Sequence, residues 1–429
     1  MNKKKIAALG AGLALLLALT AAYGLGAERR ARAAQEKLGE IYEGAVLSAM
    51  RQMDDMELLL SKALLSEDAG QCAQYLSQVS AGAAQAQQSL TLLPLAHDAA
   101  ARAVKLANQL SDYARTLIEA GTLTEEDARQ LETLTAACAQ YTAALYQARD
   151  SLARQAGETA APSASEEETK SYDTAVSYPT LIYDGPFSDA RETGPALALG
   201  EQEITREEAR QIAREFVGTE RVRALQDGAD TGGNIPCYGV TAALEDVTLE
   251  LAVSKRGGKV LWMAPDAANF TPEKSLEECR KAALLFLESR GYADMRPTYF
   301  QVYEGVAVIS FAATQGETLL YPDLVKVQLR MDKAEVVGLE ARHYLQNHTA
   351  RGPLLPLLTP EEAQGAVSAR LTISGRQLCL IPTQAGERLC YEFQGTYGGA
   401  SYLCYINAET GKQEELLKIV ESSAGLETA

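Results

Sequence analysis

At 429 residues, with 47% apolar and 23% charged residues, the chain is too long for one hydrophobic core and globular in composition; at roughly 150 residues per domain it divides into two to four units. Its net charge of −17 argues against nucleic-acid binding, because an acidic surface repels a phosphate backbone. None of the seven cysteines is spaced C-x-x-C, which argues against a zinc knuckle or a thioredoxin-like site, and an odd count argues against a full disulfide framework.

The amino terminus carries Lys3, Lys4 and Lys5, then an uncharged run from Ile6 to Ala27. Roughly 20 helical residues at 1.5 Å each span about 30 Å of hydrocarbon. Leu13 to Leu19 would also serve as the short core of a cleaved signal peptide, with Thr20, Ala21 and Ala22 as a weak exit site. The uninterrupted length favours an uncleaved signal-anchor helix over residues 1–27. Lys3–Lys5 compete with Arg29, Arg30 and Arg32 in setting its orientation. The long remainder, with no second apolar span, favours a single pass with the bulk of the chain on the extracytoplasmic side.

Residues 28–155 are rich in Ala, Leu, Gln and Glu, all strong helix formers. Breaks at Ser66–Gly70, Leu93-Pro94 and Gly121–Asp127 divide them into helices at about 28–65, 68–91, 95–120 and 124–155. An antiparallel α-helical bundle buries their apolar faces. Val46, Met50, Met53, Leu60 and Leu64 form one stripe; Met50, Met53 and Met56 read as core packing, with an adaptable partner surface as the sharper alternative. His97 has no ligand partner nearby.

Residues 156–200 form an acidic linker and an extended segment. The stretch up to Val176 has no apolar period, as a linker does. Ser177–Asp189 then concentrates aromatic and apolar residues around an Asp184-Gly185-Pro186 turn. This segment either packs onto the carboxyl-terminal region or contacts a partner, and Tyr178, Pro179, Leu181, Tyr183 and Phe187 are the candidate partner-binding residues.

The remainder repeats one unit, a helix followed by antiparallel strands, over 201–266, 267–345 and 355–420. Helix starts are marked by Thr205–Glu208, by Thr271-Pro272-Glu273 and by Thr359–Glu362. Ala209, Ile212, Ala213, Phe216 and Val217 keep helical period in the first copy; Leu276, Cys279, Ala283, Phe286 and Leu287 do so in the second. Ala363, Ala366, Val367 and Leu371 keep it more weakly in the third. Hairpin turns are expected at Lys255–Lys259, Met331–Ala334 and Asn407–Lys412. One helix on a small sheet leaves the other sheet face to be covered by a neighbour or a partner. Cys379, Cys390 and Cys404 fall on strands of the third copy, which leaves room for one bridge among otherwise buried thiols.

No H-E-x-x-H, G-x-S-x-G, P-loop or dinucleotide fingerprint is present. His343 and His348, five residues apart, do not share a helix face, so they read as surface residues rather than metal ligands. No catalytic residue, cofactor or metal is expected.

The Thr-x-Glu-Glu-Ala helix start and the hairpin Tyr-x-Ile-Asn-Ala-Glu-Thr-Gly resemble the PepSY module, carried by Thr205–Ala209, Thr359–Ala363 and Tyr405–Gly411. The second copy departs from it, with no Gly after Asp332. The order of anchor, Ala-rich helices, Tyr178–Phe187 string and three PepSY-like modules resembles the YpeB family of spore germination proteins. That resemblance implies a place at the inner spore membrane and a partnership with a cortex-lytic enzyme of the SleB type, which the protein would help to stabilise, localise or restrain. An extracytoplasmic sensor or a peptidase-inhibitor-like binding module is the alternative. Oligomeric state is left open.

Overall fold

The computed structural model describes residue 33 and residues 37–93, 98–156, 196–266, 269–383, 385–422 and 425–428. The expected anchor and the candidate residues Tyr178, Pro179, Leu181, Tyr183 and Phe187 lie outside the described residues. No helix among the described residues is long and apolar enough to cross a membrane. The chain divides into two compact units, the first helical and the second mostly sheet.

The helical unit contains α1 (37–65), α2 (Ala69–Thr91), α3 (Asp98–Ala120) and α4 (Glu125–Ala156). The breaks act as the sequence indicates. Gly121 adopts φ +72°, and Thr124 caps α4 by exchanging hydrogen bonds with Asp127. Met53 and Met56 are fully buried and Met50 half-buried, so the methionines form core rather than a partner surface. Small residues bring α1 and α2 together: a Cβ on Gly82 would sit 3.3 Å from Met56 Cγ. Ser80 and Ser111 join α2 to α3 at 3.0 Å, and Tyr113 donates to Asp127 across α3 and α4 at 2.8 Å.

The second unit is built from three strand groups. The first runs α5 (Arg206–Val217), β1 (Ala224–Asp227), β2 (Cys237–Ala243), β3 (Thr248–Ser254) and β4 (Val260–Pro265). The second runs α6 (Leu276–Ser289), β5 (Met295–Tyr303), β6 (Val306–Gln315), β7 (Thr318–Arg330), β8 (Glu335–Glu340) and the short α7 (Arg342–Asn347). The third runs α8 (Pro360–Gln364), β9 (Thr372–Thr383), β10 (Gly386–Tyr397), β11 (Ala400–Asn407), β12 (Gln413–Ser422) and β13 (Gly425–Thr428).

Two helix expectations are corrected. The second helix starts at Leu276, not at Thr271-Pro272-Glu273, because Ser275 and Glu278 form the capping box. Glu273 and Lys274 instead donate their backbone N–H groups to the Met331 carbonyl. The third helix stops after five residues at Gly365; Ala366 and Val367 continue as i→i+3 turns on Ala363 and Gln364. The expected hairpin turns do join β3 to β4, β7 to β8 and β11 to β12.

The three sheets are continuous rather than separate. Strand order is β1-β2-β3-β4-β8-β7-β6-β5-β13-β12-β11-β10-β9, and β9 returns to pair in parallel with β7. Eight strands, β5–β7 and β9–β13, thereby close into a ring. Period-2 alternation explains the burial. Ala307 and Ile309 of β6 face the core beneath α5 and α6, while Val306 and Val308 face the ring interior. In β10, Cys390 points into the ring, and Tyr391 and Phe393 point to the core beneath α8.

All seven cysteines are buried free thiols. Cys379 and Cys390 oppose each other across β9 and β10 on the ring side, whereas Cys404 faces the α8 side.

The ring interior also holds a carboxyl group. Tyr321 Oη donates to Glu392 Oε2 at 2.6 Å, and Gln377 Nε2 donates to Oε1 at 2.8 Å. Tyr405 faces the same carboxyl and meets the Tyr321 ring edge-on at 6.2 Å. Burial pushes Glu392 above the ordinary carboxylate range, and the hydrogen bonds from its neighbours pull it partly back. Glu392, Tyr321 and Tyr405 are all buried, and the cluster ties β7, β9, β10 and β11 together from inside the ring.

Both the glycine turn beneath β6 and the buried acid can be probed by substitution. Gly305 has φ +74°, and a Cβ there would lie 1.7 Å from the Phe270 carbonyl oxygen. Gly305→Ala should destabilise the sheet unit by more than about 2 kcal/mol, read as a fall in Tm of several degrees; a Tm within about 1 °C of wild type would contradict the packing described. Glu392 binds its proton more tightly folded than unfolded. Its contribution to stability is therefore full below the unfolded carboxyl value, about 4.3, and is lost as pH rises through the folded value. Glu392→Gln should raise Tm relative to wild type near pH 8, with the difference vanishing near pH 4; a pH-independent difference would show that the carboxyl does not titrate between the two states.

Candidate functional site

A cavity of about 390 Å³ opens where the carboxyl ends of α5 and α6 meet the start of β4 and α7. Its walls are apolar: Ala198, Ile212, Phe216, Val260, Tyr292 and Leu345. Its polar lining comes from Lys259, Arg290, Tyr344 and His348. Among the described residues, no serine, threonine, cysteine or carboxylate lines it.

Local sequence places these groups. The amphipathic period of α5 turns Ala209, Ala213 and Val217 into the core and leaves Ile212 and Phe216 at its margin. Phe216 meets Phe286 of α6 edge-on, with ring centroids 5.4 Å apart. Arg290, at the end of α6, lies over both rings, 5.8 Å from the Phe216 centroid and 5.0 Å from that of Phe286. Its Nε donates to the Phe216 carbonyl at 2.7 Å, satisfying an acceptor left over at the end of α5. Burial lowers the Arg290 pKa from its ordinary value; the nearby Glu220 opposes that shift and Arg221 adds to it. The Lys255–Lys259 turn presents Lys259 from the other side, with Gly257 and Gly258 at φ +80° and +59°.

The rim is pinned from below. Asp323 is fully buried and accepts two hydrogen bonds from Arg351, at 2.8 and 2.7 Å. Arg351 also reaches Glu387 of β10 at 2.6 Å, so one guanidinium ties β7 to the third strand group. His348 Nδ1 lies 2.8 Å from the same Asp323, and its ring stacks on Tyr344 at 4.2 Å. The His348 side chain is 40% exposed, as its reading as a surface residue expects, and it is oriented by a buried carboxylate. His343 and His348 form no metal site, and no cluster that could hold a metal occurs among the described residues.

The structure brings together residues that sequence reasoning does not group. Arg290, Lys259, Asp323 and His348 lie far apart in the chain and carry no motif. The available signal is the pair of aromatic residues, Phe216 and Phe286, at matching places near the ends of two repeated helices.

Three family models match the chain. They are described as YpeB sporulation, PepSY1 and PepSY2 domains over residues 109–353; YpeB N-terminal over 30–158; and Peptidase propeptide and YPEB domain over 357–417. Among curated proteins, the Sporulation protein YpeB of Halalkalibacterium halodurans is 31% identical over 229 residues, 52% of this chain and 51% of the relative. The Sporulation protein YpeB of Bacillus subtilis is 25% identical over 251 residues, 55% of this chain and 56% of the relative. The alignments thus span about half the length of these curated relatives. A solved structure, the Bacillus megaterium YpeB C-terminal domain, is 25% identical, with a TM-score of 0.46 over 51% of this chain and 98% of that one. With a YpeB family model covering more than half of its length, the chain belongs to the YpeB family of sporulation proteins.

Proposed function

We propose that this chain is a non-enzymatic, membrane-anchored binding protein of the spore that holds a cortex-lytic hydrolase of the SleB type in a stable, restrained state. The observation that carries the reading is family membership across both the helical and the sheet regions. Two features of the site support it. The buried acid at Glu392 is sealed inside the ring, out of reach of a polymer such as peptidoglycan. The cavity at Arg290 offers cations and apolar walls, which bind and orient, and no serine, threonine, cysteine or carboxylate stands among the described residues that line it. The mechanism is differential binding: contacts made to the folded, restrained hydrolase and not to its free or unfolded form shift the population toward the former.

A peptidase-inhibitor-like module is a second form of the same binding reading, favoured by the Peptidase propeptide description that matches residues 357–417. Anchoring through residues 6–27 at the inner spore membrane belongs to this proposal.

The test is association and abundance. Full-length protein should co-purify with the lytic enzyme from spore membranes, and deletion of this chain should lower the amount of enzyme in dormant spores several-fold. Unchanged enzyme abundance together with no association would end the proposal, as would release of muropeptides from cortex by the pure protein alone.

A further inference from the structure

Arg290 and Lys259 line the cavity and have no ion pair among the described residues, a state they share with Arg214 and Arg388. Arg206, Arg210, Arg221, Arg330 and Arg351 each pair with a carboxylate within 4 Å. That is the expected state in a chain with 57 acidic and 40 basic residues. Arg290 has no such partner among the described residues, although it is half-buried. Its Nε and Nη1 are engaged by the Phe216 carbonyl and Ser289 Oγ. Its place at the end of α6, beside the end of α5, explains the first of these bonds, and the nearby Glu220 offsets part of its charge without forming an ion pair. Lys259, exposed on the facing wall, is also without an ion pair among the described residues. Two cations beside apolar walls, with no carboxylate among the described lining residues, give the cavity a positive face that an anion complements.

We propose that this cavity is a docking site for an acidic segment of a protein partner, one that carries a large apolar side chain next to a carboxylate. The side chain would lie against Ile212, Phe216 and Tyr292, and the carboxylate would sit on Arg290 and Lys259. A volume of about 390 Å³ suits a short segment rather than a folded element. Charge complementarity selects the occupant: a carboxylate gains a charge-assisted bond to a guanidinium already stacked and desolvated by two rings, so little ordering is needed on binding. The proposal rests on the binding-protein reading above and adds a contact surface to it.

The experiment uses the full chain and fluorescence anisotropy with a labelled Gly-Asp-Phe-Glu-Leu peptide, its Gly-Asn-Phe-Gln-Leu counterpart, and a peptide of residues 181–189. The acidic probe should bind at least about tenfold more tightly than the amide probe. Arg290→Gln should weaken the acidic probe by a similar factor in the folded protein, with Tm lowered by loss of the bond to the Phe216 carbonyl. Lys259→Gln, at an exposed position, supplies a second variant should Arg290→Gln fail to fold. Both should also weaken association with the purified lytic enzyme. Equal binding of acidic and amide probes, or binding unchanged in the variants, overturns the proposal. So does selective binding of the 181–189 peptide, which would make the occupant this chain's own segment. If the enzyme binds the wild type and both variants alike, the site is wrong and the binding-protein reading stands; if the enzyme binds neither, that reading fails first.

Discussion

The sheet unit depends on one constraint: a four-stranded sheet covered by a single helix has a bare second face. Left in water, that face would forfeit its burial and expose strand edges to other chains. Here the second and third strand groups resolve the problem for each other. β7 pairs with β9 and β5 with β13, and the two bare faces become the inside of one ring. The first group joins edge to edge through Trp262 and Met263 of β4 against Glu340 and Leu339 of β8, and α5 and α6 then share one core. Each copy is incomplete alone, and the repeat acquires stability from its neighbours.

The same arrangement creates the candidate site. Because α5 and α6 lie side by side over a continuous sheet, their carboxyl ends converge, and Phe216, Phe286 and Arg290 meet there. The rim is held from the opposite direction by the buried Asp323–Arg351 pair, which reaches across to Glu387. An exposed ion pair contributes little, but breaking a buried one by removing a partner typically costs about 3–5 kcal/mol. The position of His348 is set both by that buried carboxylate and by the end of α7, where its backbone N–H donates to the Tyr344 carbonyl and its ring stacks on Tyr344.

Local signals are legible in the sequence. Gly121 and Thr124 mark the break before α4, Thr205 and Glu208 cap α5, and two of the three hairpin turns fall where glycine and polar residues cluster, while the third sets Ala334 at φ +54°. Two local signals mislead. Ser275 and Glu278 form as good a box as Thr205 and Glu208 but stand four residues after a Thr-Pro that looks like a start; Gly365 ends α8 because a helix so short has too few turns to outweigh its breaker. Strand pairing between copies is not legible, because period-2 patterning reports that a face is buried and not what covers it. The candidate site is invisible for the same reason: Lys259, Arg290 and His348 are neighbours only once the sheets have joined.

The seams of the ring are unequal. β7 meets β9 through Leu319–Cys379 and Leu320–Leu380 only, and β5 meets β13 through Gln301–Gly425, whereas β9 and β10 pair along eleven residues. Closure therefore rests on side chains that cross the seam as much as on the ladder: Tyr321 of β7 on Glu392 of β10, and Arg351 between Asp323 and Glu387. The third group thus opens only by baring the ring face of β6 and β7 as well.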